Sequence, residues 1–353
     1  MRKAFILLFF LLLLSTPAMA SYGSENVANA LGGTASEIMG NMDLSSFSAE
    51  GLARSIWDYI SRHLNLELKN ALKPVAVLVA VSVLCSMGDG LQRKKELDYV
   101  NLAGVMAIAL AAVKDVNSVA AMARSALLDM QEFSRVLLPV LASASVSAGA
   151  ISSGAVKYSA AALFMDLLIS AAFKLLLPLL GAYIASLLAS SATGDGRLKG
   201  TVKLLKWFSK LAMTALVSVF TFYIGIAGIA SSGADAAASK AAKAIIANFV
   251  PVVGKMVSGA SDTIAAGAML IRSSVGVFGL GAVVALCAAP FLAIGVRYLL
   301  FKAVSAVICL VSGERISSLV DGLGNVYGML LGLVGTGAVF MFISILSLIR
   351  TVT

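Results

Sequence analysis

The sequence predicts an all-α, polytopic membrane protein, and three observations carry that prediction. Of its 353 residues, 59% are hydrophobic and only 13% are charged. Soluble domains carry about 25% charged residues, so lipid is the simplest cover for this surface. The mean hydropathy is +0.96. The apolar residues are also gathered into separate runs, several of which approach the roughly 20 residues that a helix needs to cross a hydrocarbon core. About seven spans are expected, give or take one or two, with broken or re-entrant segments among them.

Residues 1–20 read as a cleavable signal peptide. Arg2 and Lys3 form a positive n-region, residues 5–14 are an unbroken apolar run, and Ala18-Met19-Ala20 places a small-x-small site before position 21. The run is short for a span, which favours removal over an uncleaved first helix. Residues 21–72 then form an exported lead, and residues 73–353 the multi-span domain. Within 21–69 there are six acids and three bases. Ser48 can cap a helix that has Glu50 in its first turn, where the helix dipole favours an acid. Leu52, Ile56, Ile60 and Leu64 give that helix an apolar stripe. Trp57 and Tyr59 suit a membrane–water interface.

Two short apolar segments follow, 74–87 and 100–113. Residues 136–156 are mostly Ala, Ser and Gly. Such a stretch packs between helices or enters the membrane without crossing. Residues 160–191 are apolar but interrupted by Asp166, Lys174 and Pro178, and give one kinked helix or two half-spans. The basic cluster Arg197, Lys199, Lys203, Lys206 and Lys210 comes next, against the single acid Asp195. Further spans are expected at 211–230, 275–296, 298–311 and 326–349. An exported N-terminus puts Arg93, Lys94, Lys95 and the five-base cluster in the cytoplasm, as the positive-inside rule asks. Seven crossings also put Arg350 inside and 231–274 outside.

Catalytic signatures are absent. The sole histidine, His63, stands four residues before Glu67, which suits a weak ion pair. No metal-protease, nucleophile-elbow or phosphate-loop motif occurs, and neither a cofactor nor a metal site is expected. Cys85, Cys287 and Cys309 are odd in number and lack CxxC spacing, so they read as buried small hydrophobes. The net charge of +9 comes without an aromatic-interleaved basic face, which argues against nucleic acid and for anionic lipid. Asp166, Lys174 and Lys302 are candidate intramembrane charges, which usually face a bundle interior or a cavity, although lysines near helix ends snorkel. Gly328 and Gly332 form a GxxxG pair suited to helix packing.

The stretch 248–264, "NFVPVVGKMVSGASDTI", is too short to span and too apolar for an ordinary loop. Lys240 and Lys243 precede it on a helix-forming flank. Pro251 restricts its predecessor to extended geometry, Gly254 is free to turn, and Ser261 or Asp262 can cap a new helix. The reading is helix, break, helix. A re-entrant or conduit-lining hairpin fits it, as does an exterior Pro-Gly turn.

With its flank, "AAKAIIANFVPVVGKMVSGASDTI" (241–264) resembles the signature region of the stage III sporulation protein AE family. The order of signal peptide, exported lead, spans, "SSGAD" tract (231–235) and three apolar C-terminal segments is also similar, most strongly over 160–349. The resemblance implies a subunit of a channel-like complex in the mother-cell membrane around the forespore. Its implied partners are other membrane proteins of the same operon, a forespore membrane complex and further copies of itself. It brings no catalytic residues to carry over. By position, Lys240, Lys243, Pro251, Gly254 and Asp262 match the most recognisable segment. A stand-alone secondary transporter is the alternative; an intramembrane enzyme would need a second acid near Asp166 or a Ser-Lys pair.

Overall fold

The computed structural model describes residues 33–39, 49–91, 99–148, 150–193, 196–249, 254–311 and 314–349. Side chains of 225–273 lie outside that description. Apart from the turn between the third and fourth helices, the described residues are helical, with no strand among them. The helices are α1 (Gly33–Met39), α2 (Ala49–Leu91), α3 (Tyr99–Ser147), α4 (Ile151–Ala171), α5 (Leu177–Thr193), α6 (Gly196–Phe249), α7 (Gly254–Val311) and α8 (Glu314–Ile349). A π-helical turn, Ala172–Leu176, joins α4 to α5.

Among the described residues, six stretches are long and apolar enough to cross a membrane: Glu50–Met87, Leu102–Ser147, Ser152–Thr193, Leu198–Ile224, Ser274–Leu310 and Arg315–Ile349. The protein is therefore a multi-pass α-helical membrane protein. The two expected segments 275–296 and 298–311 are one continuous helix within α7. They looked separate because Arg297 divides them, and its charge is met inside the bundle rather than in a loop. The expected lead helix and first short span likewise merge into α2, which runs through Pro74.

Among the described residues, prolines lie within helices rather than ending them. Pro74, Pro139 and Pro290 lie inside α2, α3 and α7. Proline removes one backbone donor and crowds the carbonyl four residues back; a membrane helix tolerates this when neighbours satisfy the freed group. Pro178 shows the local adjustment. Just before it, the Leu177 N–H donates to the Ala172 carbonyl, five residues back. This wider register relieves the crowding at position 174 without breaking the helix.

α7 and α8 form the central antiparallel pair, and α3 lies against both. α2 packs on α7 and α3, while α4 and α5 pack against α3, α6 and α8. In the most apolar stretches of α7 and α8, 61% of residues are buried, against 17% in α6, so α6 lies at the rim of the bundle. Phe220 of α6 stacks on Phe340 of α8 at 3.7 Å between centroids, with Phe164 of α4 beside both.

The small-residue tract 136–156 is the end of α3, the turn and the start of α4, so it belongs to two crossing helices. A Cβ at Gly154 would sit 3.2 Å from that of Ser145, an approach that needs small residues. The hairpin also holds the end of α8. Lys157 Nζ donates to the Ser347 carbonyl at 3.1 Å; Ser145 Oγ donates to the Leu141 carbonyl of its own helix at 2.8 Å and lies 3.4 Å from that of Leu348. The Ser347 and Leu348 carbonyls belong to the last described turn of α8, where the helix dipole favours a cation.

Three smaller expectations are corrected. Tyr59 is buried rather than interfacial, stacked on His63 at 4.2 Å, while Trp57 is exposed. Cys309 is exposed, whereas Cys85 and Cys287 are buried. Asp262 does not begin a helix, because α7 starts at Gly254.

Six crossings place the two ends of the 198–349 segment on opposite sides; seven would place them on the same side. Reporters fused after Gly200 and after Thr353 should therefore read opposite compartments, and matching signals would restore the seven-span order. A second outcome concerns close packing. A Cβ at Gly279 would meet Leu137 Cδ2 at 2.6 Å and Cδ1 at 3.2 Å, while Gly181 faces open space. Gly279→Ala should cost about 1–3 kcal/mol in thermal unfolding, and Gly181→Ala should be neutral or gain up to about 1 kcal/mol.

Candidate functional site: a buried charge cluster

Four helices meet at Arg297. It lies in α7 with its side chain only 9% exposed. A guanidinium cannot shed its charge, so the bundle must answer it. α2 supplies Glu67, whose Oε2 accepts from Nη1 at 3.0 Å. α3 supplies Asp115, whose oxygens lie 3.3 Å from Nε. The Ala293 carbonyl, one turn back in α7, accepts from Nη1 at 3.0 Å. α8 completes the set: the Tyr327 hydroxyl donates to Asp115 Oδ2 at 2.6 Å. The Tyr327 ring packs on Phe301 at 4.8 Å between centroids, which fixes the hydroxyl's direction.

The cluster holds two carboxylates and one guanidinium, all inside helices able to cross a membrane. Opposite charges in this setting offset the cost of removing each from water, and losing one partner exposes the full penalty. The arrangement joins α2 to α7 and α3 to α8 through polar contacts that lipid cannot replace.

A second network ties α5, α7 and α8. Lys302 Nζ donates to Asp321 Oδ1 at 2.6 Å and to Asn325 Oδ1 at 3.0 Å. Asn325 Nδ2 donates to Asp321 Oδ2 at 3.2 Å, and the Tyr183 hydroxyl to the Gly322 carbonyl at 3.4 Å. Gly324 lies beside the lysine stem, where a Cβ would stand in ordinary contact at 3.4–3.5 Å. Among the described residues, no group of three or more His, Cys, Asp or Glu side chains is arranged to hold a metal ion.

With this geometry in place, the family model described as Stage III sporulation protein AE matches residues 34–351. The chain belongs to the stage III sporulation protein AE family. It is 24% identical over 285 residues to the stage III sporulation protein AE of Bacillus subtilis (strain 168), an alignment that covers 78% of this chain and 69% of the relative. No solved structure matches.

The residues singled out from the sequence fall in three places. Lys302 is in the second network. Asp166 faces away from the bundle interior, where its Oδ1 accepts from Gln131 Nε2 at 2.7 Å and lies 3.6 Å from Arg135. Lys174 is also exposed, on the π-turn. Lys240 and Lys243 lie on the C-terminal part of α6; Gly254 opens α7 and Asp262 lies within it. Their side chains, and Pro251 entirely, lie outside the described residues. Gly328 of α8 faces the Tyr298 ring, 3.1 Å from where its Cβ would stand, and Gly332 faces Met213 of α6 at 3.5 Å.

Sequence reading missed Arg297, Glu67, Asp115 and Tyr327 as a set. Glu67 had been matched with His63, but it turns to Arg297, and His63 Nδ1–H donates to the Tyr59 carbonyl at 3.0 Å. A lone arginine between two apolar runs, with no proline or polar turn beside it, was the available signal.

Arg297→Met should destabilise the protein by about 3–5 kcal/mol, because two buried acids lose their counter-charge. Tyr327→Phe removes one hydrogen bond to a charged group and should cost about 1–3 kcal/mol. Thermal unfolding in detergent or nanodiscs reads both; equal effects from the two would contradict the assignment of Arg297 as the centre.

Proposed function

We propose that this chain is a membrane subunit of a channel- or export-like complex that links mother cell and forespore during endospore development. The observation that carries the reading is membership of a sporulation family across residues 34–351. The fold supports it: six apolar helices, with close glycine contacts at Gly328 and Gly279, make a rigid body suited to standing in an assembly. In this reading the chain lies in the mother-cell membrane around the forespore, its N-terminus exported after signal cleavage. It works beside other membrane proteins of its operon, a forespore membrane complex and further copies of itself. It is not an enzyme and takes no cofactor; its contribution is structural and conductive.

The Arg297 cluster favours one second reading. Paired charges inside a helical bundle are where secondary transporters place coupling sites, so a stand-alone permease is the competing function. Purification in mild detergent from sporulating cells separates the two. The proposal expects a defined multimer carrying other sporulation membrane proteins, and a block in spore development when the gene is deleted. A lone protein that moves a solute in proteoliposomes, from a strain that still sporulates without it, would replace the proposal with the permease.

A further inference from the structure

α3 turns a charged face outward at a level where its neighbours expose apolar side chains. A Cβ at Gly337 of α8 would stand 2.8 Å from Leu127 and 3.0 Å from Met130 of α3, and 4.0 Å from Leu168 of α4. One turn along α8, Phe340 stacks on Phe220 of α6. The four helices are therefore level here. At this level α4 exposes Leu163 and Leu167, and α6 exposes Val219 and Phe222, each by 45–70%. Side chains of this kind suit acyl chains better than water. α3 exposes Arg124, Glu132 and Arg135 instead, with Asp129 half-buried beside them. Charges are costly against lipid, so protein or water has to cover them.

The chain itself answers these charges only in part. Among the described residues, no ion pair takes Arg124, Asp129 or Glu132. Arg124 has an aromatic neighbour, the Phe173 ring of the π-turn, at 4.6 Å. Asp129 and Glu132 stand within electrostatic reach of each other, two like charges side by side. Arg135 lies 3.6 Å from Asp166 of α4, and both of those side chains are largely exposed. The face thus offers charges of both signs to whatever packs on it.

Between the charges runs a seam suited to another helix. Ser118, Ala121, Ser125 and Leu128 are all exposed and follow one another at three, four and three residues, which is coiled-coil spacing. Three of the four are small enough for close backbone approach. A second copy in the same membrane has the same orientation, so its α3 runs parallel to the first. In a parallel pair, residues flanking the seam meet five positions apart, from the end of one heptad to the middle of the next. Arg124 and Asp129 flank this seam, five positions apart and opposite in charge. We propose that two copies of this chain pair through the exposed face of α3, Arg124 of each meeting Asp129 of the other about a twofold axis. A different protein would need a matching pattern of its own, whereas a second copy supplies it by symmetry. The pairing rests on the self-association within the proposed function and gives it a surface. It is tested on the isolated chain, so its failure would leave membership of a wider complex standing.

Cross-linking reads the contact directly. Ser125→Cys is placed in a Cys309→Ser background of the full-length protein, where the remaining cysteines, Cys85 and Cys287, are buried. The protein is reconstituted alone in phosphatidylcholine vesicles at high dilution and oxidised. The proposal expects a disulfide-linked dimer from Ser125→Cys and from Ser118→Cys, and roughly tenfold less from Thr221→Cys on the exposed face of α6. Arg124→Glu sets two acids against each other across the axis, and Asp129→Lys sets two bases. Either alone should lower the cross-linked fraction about tenfold. Mixing the two variants before reconstitution restores opposite signs at both contacts and should recover the dimer. Thermal unfolding checks that each variant folds; where one does not, Arg124→Gln and Asp129→Asn, each expected to lower the fraction severalfold, take its place. Ser125→Cys linking no better than Thr221→Cys, a dimer indifferent to both charge changes, or folded variants that do not recover on mixing would overturn the pairing. Full labelling of Ser125→Cys by an aqueous thiol reagent, with no dimer, would give the face to water. Its cross-linking to a different protein in native membranes, with no dimer, would give the face to that protein. Either result would also overturn the pairing.

Discussion

A guanidinium that cannot lose its proton, held among apolar helices, sets the terms for the rest of this structure. Arg297 stays in the bundle because Glu67 and Asp115 reach it from α2 and α3, and because Tyr327 of α8 holds Asp115 in place. Apolar packing alone gives little orientation between membrane helices, since lipid tails are as apolar as leucine. Directional contacts at one level settle which faces of α2, α3, α7 and α8 meet. The outer helices then pack on the frame so formed: α4 and α5 against α3 and α8, and α6 on the rim, through Phe220 and Met213.

Two further polar devices extend the same logic toward the ends of the bundle. Lys302, Asp321 and Asn325 pin α7 to α8 near the connection between them. Lys157 holds the last described turn of α8 against the α3–α4 hairpin. Each answers a group that lipid cannot satisfy. Such a body, tied at several levels, supports the proposed role as a subunit that holds its shape in an assembly.

The class of fold was legible in the sequence because it depends on composition and on the lengths of apolar runs. The joins between runs were less legible. A charge inside an apolar run reads as a boundary when its partner is distant in sequence: Arg297 and Glu67 are 230 positions apart. Pro74 misled in a similar way as the start of a segment, since the tertiary contacts that let a helix pass through a proline do not show locally. Pro178 was the partial exception, and its disturbance appears as the π-turn just ahead of it. Asp166 and Lys174 drew notice for their charge, yet exposure places them outside the bundle interior, while Lys302 found partners in Asp321 and Asn325, which no sequence pattern had linked to it.

The account's central claim is that Arg297 and its two acids act as one unit rather than as separate contacts. Replacing a whole buried ion cluster is far less costly than breaking it, because no charge is left alone. The decisive measurement compares the thermal unfolding of Arg297→Met with that of Arg297→Met combined with Glu67→Gln and Asp115→Asn. The account predicts that the triple variant recovers most of the stability lost in the single one. A triple variant less stable than Arg297→Met, with losses that simply add, would contradict it.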